Sequence, residues 1–128
     1  MARKTTAPTP SEHEEQTALM RWWGVAAMLY GVHEVSLFAI PNGGLRHVIV
    51  AKRMKDEGVR AGIPDLFLAV PRGGFHGLFV ELKRTKGGRT SDVQEKAMAL
   101  LRAQGFRCIV CRGCAEAKAE INRYLTSD

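Results

Sequence analysis

The chain has 128 residues, 45% apolar and 25% charged, a composition that fits one globular domain with a single core. Its net charge of +6 favours a polyanionic partner such as nucleic acid. No apolar run is long enough to span a membrane, the basic start lacks the apolar segment of a secretory signal, and three cysteines argue against a disulfide framework. We therefore expect a cytoplasmic protein with no membrane partner.

The N-terminal part of the chain is predicted to be a tail followed by a helix. Residues 1–10 are polar and contain Pro, which predicts a flexible tail and leaves residues 11–128 as the folded domain. Ser11 followed by Glu14 forms a capping box, which predicts a helix over about residues 12–30. Apolar side chains at helical spacing are expected to face the core: Leu19, Trp22, Ala26 and Leu29.

Strands and helices follow along the rest of the chain. A hairpin in the middle and a helix before the last strand predict a mixed sheet, so the fold class is α/β, one domain with helices flanking the sheet. The predicted elements are a strand over 34–40, a helix from Leu45 to Glu57 closed by Gly58, strands over 65–70 and 77–83, a helix over 92–103 that starts at a second capping box of Ser91 and Gln94, a strand over 106–110 and a helix over 115–125.

Polar residues interrupt the two apolar strands of the predicted hairpin. Asp65 follows Pro64 in "GIPDLFLAV", and Glu81 and Lys83 lie two residues apart in "FVELKR". Alternate residues of a strand share a face, and antiparallel pairing brings Asp65 close to Glu81. Two adjacent carboxylates repel each other unless a cation lies between them, and their oxygens suit Mg²⁺.

Lys83 adds a positive charge on the same face. Its ammonium group could stabilise the charge that develops on a phosphoryl group or orient a metal-activated water, which together with the carboxylates gives a phosphodiester-cleaving site. The alternative is a solvated strand face whose ion pair contributes little. Spacing alone leaves both interpretations open.

The same motifs resemble those of a nuclease superfamily. "IPD" followed by "ELK" is similar to the Pro-Asp…(Asp/Glu)-x-Lys signature of metal-dependent nucleases, which include restriction endonucleases and archaeal Holliday junction resolvases. Around them, "SEHEEQ", "IPNGGLRH", "AKRMKDEGVRAGIPDLFLAV", "GLFVELKR", "SDVQ", "LRAQGFRCIVC" and "INRYL" resemble the VRR-NUC family, the virus-type replication-repair nucleases. The resemblance covers almost the whole chain after the tail and implies a restriction-endonuclease-like PD-(D/E)xK core.

The resemblance also implies roles for individual residues. Asp65 and Glu81 would be the metal ligands, with the Leu82 carbonyl as a further ligand. Lys83 would be the catalytic lysine, and Gln94 would support the site in addition to its capping-box role. The implied cofactor is Mg²⁺, with Mn²⁺ as the alternative.

A further acidic ligand is expected from the first helix. Helical geometry favours Glu15, which lies at the centre of the predicted buried stripe. The resemblance favours Glu12, because relatives tend to have Glu four residues before the Gln matched by Gln16. Glu14 is assigned to the helix cap, so Glu12 and Glu15 both remain candidates.

Two basic segments are candidates for DNA contacts. The turn and helix after the first strand offer backbone amides and cationic side chains, and the loop after "VELKR" is basic and rich in glycine. Ordinary turn chemistry and a solvated charged face are the alternatives. The candidates are Asn42, Gly43, Arg46, Lys52, Arg53, Lys86 and Arg89.

The spacing of "CIVCRGC" resembles part of a metal site. Strand alternation would place Cys108 and Cys111 on opposite faces, however, so we expect three buried thiols that bind nothing, including Cys114. A zinc site completed by His47 or His76 is the alternative. The chain has no Walker loop or dinucleotide fingerprint, so no nucleotide cofactor is expected.

These features together predict a Mg²⁺-dependent DNA endonuclease. A chain this small has few elements for reading a base sequence, so we expect it to select branched DNA such as four-way junctions, in viral replication or DNA repair and in a bacterial or phage-infected host cytosol. Similarity to junction resolvases implies a homodimer. The alternatives are a site-specific restriction-type endonuclease and a non-catalytic nucleic-acid-binding module.

Overall fold

A computed structural model describes residues 8–41 and 48–128, and within these ranges it contains four α-helices and four strands. The predicted tail falls largely on residues 1–7, outside the described residues, as does the predicted start of the second helix at Leu45. The elements in chain order are α1 (Glu12–Leu29), a 3-10 turn (Glu34–Ser36), β1 (Leu37–Ala39), α2 (Val48–Asp56), β2 (Leu66–Leu68), β3 (Leu78–Lys83), α3 (Asp92–Ala103), β4 (Arg107–Arg112) and α4 (Cys114–Leu125).

The four strands form one mixed sheet in the order β1-β2-β3-β4. The β1–β2 and β2–β3 pairs are antiparallel, whereas β3 and β4 are parallel and are connected through α3. This arrangement confirms the predicted α/β class with a mixed sheet flanked by helices. Within the described ranges, no helix has both the length and the apolar character needed to cross a membrane.

Both predicted capping boxes are present. The Ser11 side chain accepts a hydrogen bond from the Glu14 amide, and the Glu14 carboxylate accepts one from the Ser11 amide. Ser91 and Gln94 form the same reciprocal pair at the start of α3. Each pair satisfies amides that would otherwise lack partners, which explains why the two helices begin where the sequence predicted.

The predicted buried stripe of α1 is partly wrong. Trp23 and Ala27 are buried together with Leu19 and Ala26, whereas Trp22 is half-buried and Leu29 is 83% exposed. The indole N–H of Trp23 donates to the Glu34 carbonyl, which fixes the rotation of the helix. Successive helical residues are about 100° apart, so with Ala27 facing inward, Leu29 points to solvent.

The first predicted strand is shorter than expected. Residues 34–36 form the 3-10 turn, because His33 caps it by accepting a hydrogen bond from the Val35 amide. The extended strand therefore begins only at Leu37.

The two faces of the sheet are covered by different helices. The first face packs against α1 and α4 and is lined by Leu66, Leu68, Leu78, Val80, Leu82 and Cys111. The second face lies against α3, where Phe67, Phe79 and Cys108 pack with Met98, Leu101 and Phe106. The alternate residues Glu81 and Lys83 extend this second face towards the end of β3.

Candidate active site

The hairpin brings the two predicted carboxylates together on the second face. Leu66 pairs with Val80 and Phe67 with Phe79, so one step further along the register Asp65 lies opposite Glu81. Directly opposed residues of an antiparallel pair project to the same side of the sheet. Besides burial, the negative charge of Asp65 acts on Glu81 and raises its pKa, as expected for two carboxylates that the register brings together.

Glu81 is buried among polar partners, with only 3% of its surface exposed. Its Oε2 accepts hydrogen bonds from Gln94 Nε2 at 2.6 Å and from Lys83 Nζ at 3.1 Å. Its Oε1 is buried and has no hydrogen-bond partner among the described residues. Burial first, and then the neighbouring charge of Asp65, raise the pKa of Glu81 to about 7, although Lys83 acts in the opposite direction.

Lys83 lies beside Glu81 and is 8% exposed. Its Nζ also donates to Gln94 Oε1 at 3.2 Å. Gln94 Oε1 accepts a further bond from the Ser91 amide, so the Gln94 side chain caps α3 and contacts Glu81 and Lys83 at the same time. Gln94 was expected to cap α3 and also to support the site, and both sets of contacts are present.

Pro64 explains how the main chain of β3 opens towards this site. Continuing the register places Pro64 opposite Leu82, in the class of pair whose partners exchange two backbone hydrogen bonds. Proline has no N–H, so it cannot donate to the Leu82 carbonyl, which points to the same side of the strand as the Leu82 N–H. That N–H donates instead to Asp65 Oδ2 at 2.8 Å. The Pro–Asp sequence thus orients the Asp65 carboxylate and leaves the carbonyl of Leu82 without its usual partner from β2.

The two candidate glutamates of α1 have different surroundings. Glu15 is half-buried, and its Oε1 accepts a hydrogen bond from the Cys114 amide at 3.3 Å. Gly113 precedes α4 and offers no side chain for a cap, so Glu15 supplies a carboxylate to the start of that helix. Glu12 is exposed and lines a cavity of about 820 Å³ together with Asp65.

Comparison with known proteins identifies a family for this chain. A family model for the VRR-NUC domain matches residues 11–115. The chain belongs to the VRR-NUC family. A solved structure of a VRR-NUC domain protein superposes with a TM-score of 0.78 at 25% sequence identity, covering 92% of this chain and 90% of the other. No curated protein matches the chain. The predicted family and fold are confirmed, and this is a nuclease-type domain, whose substrate class is nucleic acid.

The predicted DNA contacts of the VRR-NUC domain are exposed side chains on α2 and on the loop after β3, or lie outside the described ranges. Asn42, Gly43 and Arg46 fall within residues 42–47, which the structure does not describe. Lys52 and Arg53 are exposed on α2, where Lys52 pairs with Asp56 at 2.9 Å. Lys86 and Arg89 are exposed in the loop between β3 and α3.

The cysteines of the VRR-NUC domain do not converge. Cys108 packs on the second face and Cys111 on the first, as strand alternation predicted. All three thiols are free and buried, and burial raises their pKa values, that of Cys111 to about 12. Across residues 8–41 and 48–128, no three His, Cys, Asp or Glu side chains are grouped closely enough to hold a metal ion. The described residues therefore bring no zinc-binding group together from these cysteines and His76, and His47 lies outside the described residues.

Two features of the VRR-NUC domain escaped the sequence analysis. Arg112 pairs in register with Lys83 and was not among the candidates. The cap that Glu15 provides for α4 joins residues 99 positions apart. Neither has a local sequence signal, because both depend on which strands and helices become neighbours.

Proposed function

We propose that this VRR-NUC domain is a metal-dependent endonuclease that hydrolyses phosphodiester bonds in DNA. The observation that carries the proposal is the pair of half-buried Asp65 and buried Glu81, with Lys83 beside it and with Oε1 of Glu81 lacking a hydrogen-bond partner among the described residues. A solvated strand face would not bury a carboxylate oxygen without a partner, because such burial costs about 1–3 kcal/mol or more.

The oxygen atoms present fit Mg²⁺ or Mn²⁺. Magnesium is commonly held by one or two carboxylates, and its remaining positions are filled by water and substrate phosphate. Asp65, Glu81 and the carbonyl of Leu82 would hold the ion, and Oε1 of Glu81, which accepts no hydrogen bond from residues 8–41 or 48–128, gives it a ligand. When bound, such an ion polarises the phosphoryl group and acidifies a bound water.

Glu12 is the better candidate for the acidic ligand from α1. It lines the same cavity as Asp65. The carboxylate of Glu15 accepts a hydrogen bond from the Cys114 amide at the start of α4. If Glu15 turned to bind a metal ion, that hydrogen bond would be lost. Glu12, Asp65 and Glu81 are not grouped closely enough among the described residues to hold an ion together, so we propose that Glu12 moves towards the pair when the ion binds and that Glu15 is structural.

Lys83 would act on the reacting phosphate, and Gln94 would hold Lys83 and Glu81 in position. The ammonium of Lys83 lies at the edge of the carboxylate pair, where it can stabilise negative charge that develops on the phosphoryl oxygens. Gln94 contacts both Lys83 and Glu81 and so fixes their relative orientation. Its role is to hold these two side chains in place.

The first experiment is cleavage of labelled four-way junction, flap and linear duplex DNA with Mg²⁺, Mn²⁺ or EDTA. Wild type is expected to cut only with metal, and Lys83→Ala is expected to lower the rate by about 10²–10³-fold. Lys96→Ala, which removes an exposed lysine on α3, is the matched control and is expected to cut at the wild-type rate.

The substrate panel also separates the alternatives. Cutting at the branch point supports a structure-selective nuclease, whereas cutting at one base sequence in linear duplex supports a restriction-type enzyme. Binding that is equally strong in EDTA, with no product at any metal concentration, would overturn the nuclease proposal in favour of a binding module.

A junction-cutting enzyme of this kind is proposed to act as a homodimer, because two related sites are needed to nick two strands symmetrically. Light scattering at micromolar concentration is expected to give twice the mass of 14.1 kDa. A monomer that still makes paired symmetric nicks would contradict this proposal.

A further inference from the structure

The loop that follows β3 carries a concentrated positive charge. Residues 84–90 have the sequence "RTKGGRT", with three cationic and no acidic side chains, and Arg84, Lys86 and Arg89 are all exposed. Two consecutive glycines, Gly87 and Gly88, have φ values of 73° and 69°, which residues other than glycine rarely adopt. The glycines turn the loop back, so that a Cβ built on Gly88 would lie 3.9 Å from Lys83 Cδ.

Arg112 holds this loop from the neighbouring strand. It pairs in register with Lys83, and paired residues of neighbouring strands project to the same face, so its side chain leaves the sheet on the second face. Its guanidinium donates to the Arg84 carbonyl at 3.4 Å, to the Gly87 carbonyl at 2.7 Å and to the Gly88 carbonyl at 2.9 Å. One side chain therefore ties the two ends of the glycine turn to β4.

The charges around this contact do not balance one another. Among the described residues Arg112 makes no ion pair with a carboxylate, and it is bound by neutral carbonyl oxygens. Arg84, Lys86 and Arg89 place further positive charge in the same loop, so these side chains repel one another. Within the described part of the chain these cations form no salt bridge with a carboxylate, and such a concentration of positive charge is suited to the phosphate groups of a nucleic-acid backbone.

We propose that Arg112 is a positioning residue: its guanidinium fixes the 84–90 loop beside Lys83 so that Lys86 and Arg89 contact substrate phosphates next to the scissile bond. This inference rests on the proposed nuclease function and adds to it the element that holds the substrate backbone. The forked guanidinium is required, because its rigid plane presents several N–H groups in fixed directions. A lysine at the same position keeps the charge but cannot bridge the same carbonyls in that geometry.

The test uses two variants that separate geometry from charge. Arg112→Lys keeps the charge and loses the fork, and Arg112→Gln loses both. Arg123→Lys is the matched control, because Arg123 is an exposed arginine on α4 that pairs with Glu120. For each protein, kcat and KM are measured on the cleaved substrate, and the binding constant is measured over a range of salt concentrations.

Both Arg112 variants are expected to raise KM about tenfold while kcat stays within about twofold, because phosphate contacts position the substrate backbone. The slope of log K against log salt concentration is expected to become shallower by about 2, since each lost phosphate contact contributes about 0.9. Arg123→Lys is expected to match wild type in all three quantities. Amide hydrogen exchange of residues 84–90 is expected to accelerate in Arg112→Lys without substrate.

Other results would overturn the proposal. If Arg112→Lys keeps the wild-type KM and salt slope while Arg112→Gln loses them, Arg112 contacts phosphate directly through its charge. If exchange accelerates but KM and the slope do not change, the contact serves only the fold. If wild type itself neither cuts nor binds DNA with any metal, the proposed function fails, and that result is visible before any variant is compared.

Discussion

Consecutive residues of β3 are all buried, yet they serve two different environments. Leu78, Val80 and Leu82 pack on the first face against α1 and α4, in the larger hydrophobic cluster of the core. Glu81 and Lys83 alternate with them and lie on the second face, where polar groups meet one another below an exposed loop. Burial therefore has opposite effects on neighbouring residues of β3. Burial of Leu82 on the first face contributes stability, whereas burial of Glu81 and Lys83, at the end of the second face, holds charge at a cost to stability.

The largest expected effect tests the second face. Asp65→Asn is expected to lower metal-dependent cleavage by about 10²–10⁴-fold, because the amide keeps a hydrogen-bond acceptor for Leu82 but loses the negative charge. Asp56→Asn, on the exposed side of α2, is the control. Initial rates on the best substrate decide the matter, and a tenth or more of the wild-type rate for Asp65→Asn would contradict the assignment.

The first face is tested by the residue between the two site residues. Leu82→Ala is expected to lower the free energy of unfolding by about 2–5 kcal/mol, because it leaves a cavity in the apolar core. Leu100→Ala, which removes a side chain that is 70% exposed, is expected to change it by less than about 0.5 kcal/mol. Denaturant unfolding measures both. The contrast between the two faces would be wrong if Leu82→Ala left the free energy of unfolding unchanged and lowered kcat of the folded protein.

A gain in stability is expected from changing the buried carboxylate. Glu81→Gln is expected to raise the free energy of unfolding without metal by about 1–3 kcal/mol, because it removes a buried charge with an unpartnered oxygen beside Asp65. Mg²⁺ is expected to raise the melting temperature of wild type, and the same change is expected to abolish that rise. Thermal melts with and without Mg²⁺ test both statements, and equal stabilisation of the two proteins by Mg²⁺ would show that Glu81 is not a ligand.

The smallest effect separates the two glutamates of α1. Glu15→Gln is expected to cost about 0.5–2 kcal/mol of stability through the weakened cap of α4 and to leave kcat unchanged. Glu12→Gln is expected to leave stability unchanged and to lower cleavage. Each variant is the other's control. The reverse pattern in unfolding and rate measurements would make Glu15 the ligand.

Local signals in the sequence predicted much of this arrangement. The capping boxes located the starts of α1 and α3, because cap residues contact amides only a few positions away. Alternation along the hairpin placed Asp65, Glu81 and Lys83 together, because a strand has a fixed period and the hairpin sets its partner. The contact of Gln94 with the site was implied by the family resemblance, whereas the second capping box predicted only its place at the start of α3.

The remaining features depend on tertiary contacts. The rotation of α1 is fixed by the hydrogen bond from Trp23 to Glu34 across a turn, which no helical pattern contains. The cap from Glu15 to Cys114 and the contacts of Arg112 with the 84–90 loop join segments that are distant in the chain. Parallel pairing of β3 with β4 places Arg112 beside Lys83, and the register of a parallel pair is set by the connecting helix and the core rather than by a short turn.

Because Gln94 both caps α3 and contacts the site, the geometry of the site depends on the first turn of α3. Its side chain closes the first turn of α3 and also contacts Glu81 and Lys83, so fraying of that turn would release both groups. Helix termini open locally with free energies well below that of global unfolding. Heating is therefore expected to inactivate the enzyme reversibly several degrees below the melting temperature of the sheet, which parallel measurements of rate and circular dichroism would detect. The working temperature of the domain would then be set by one turn of helix.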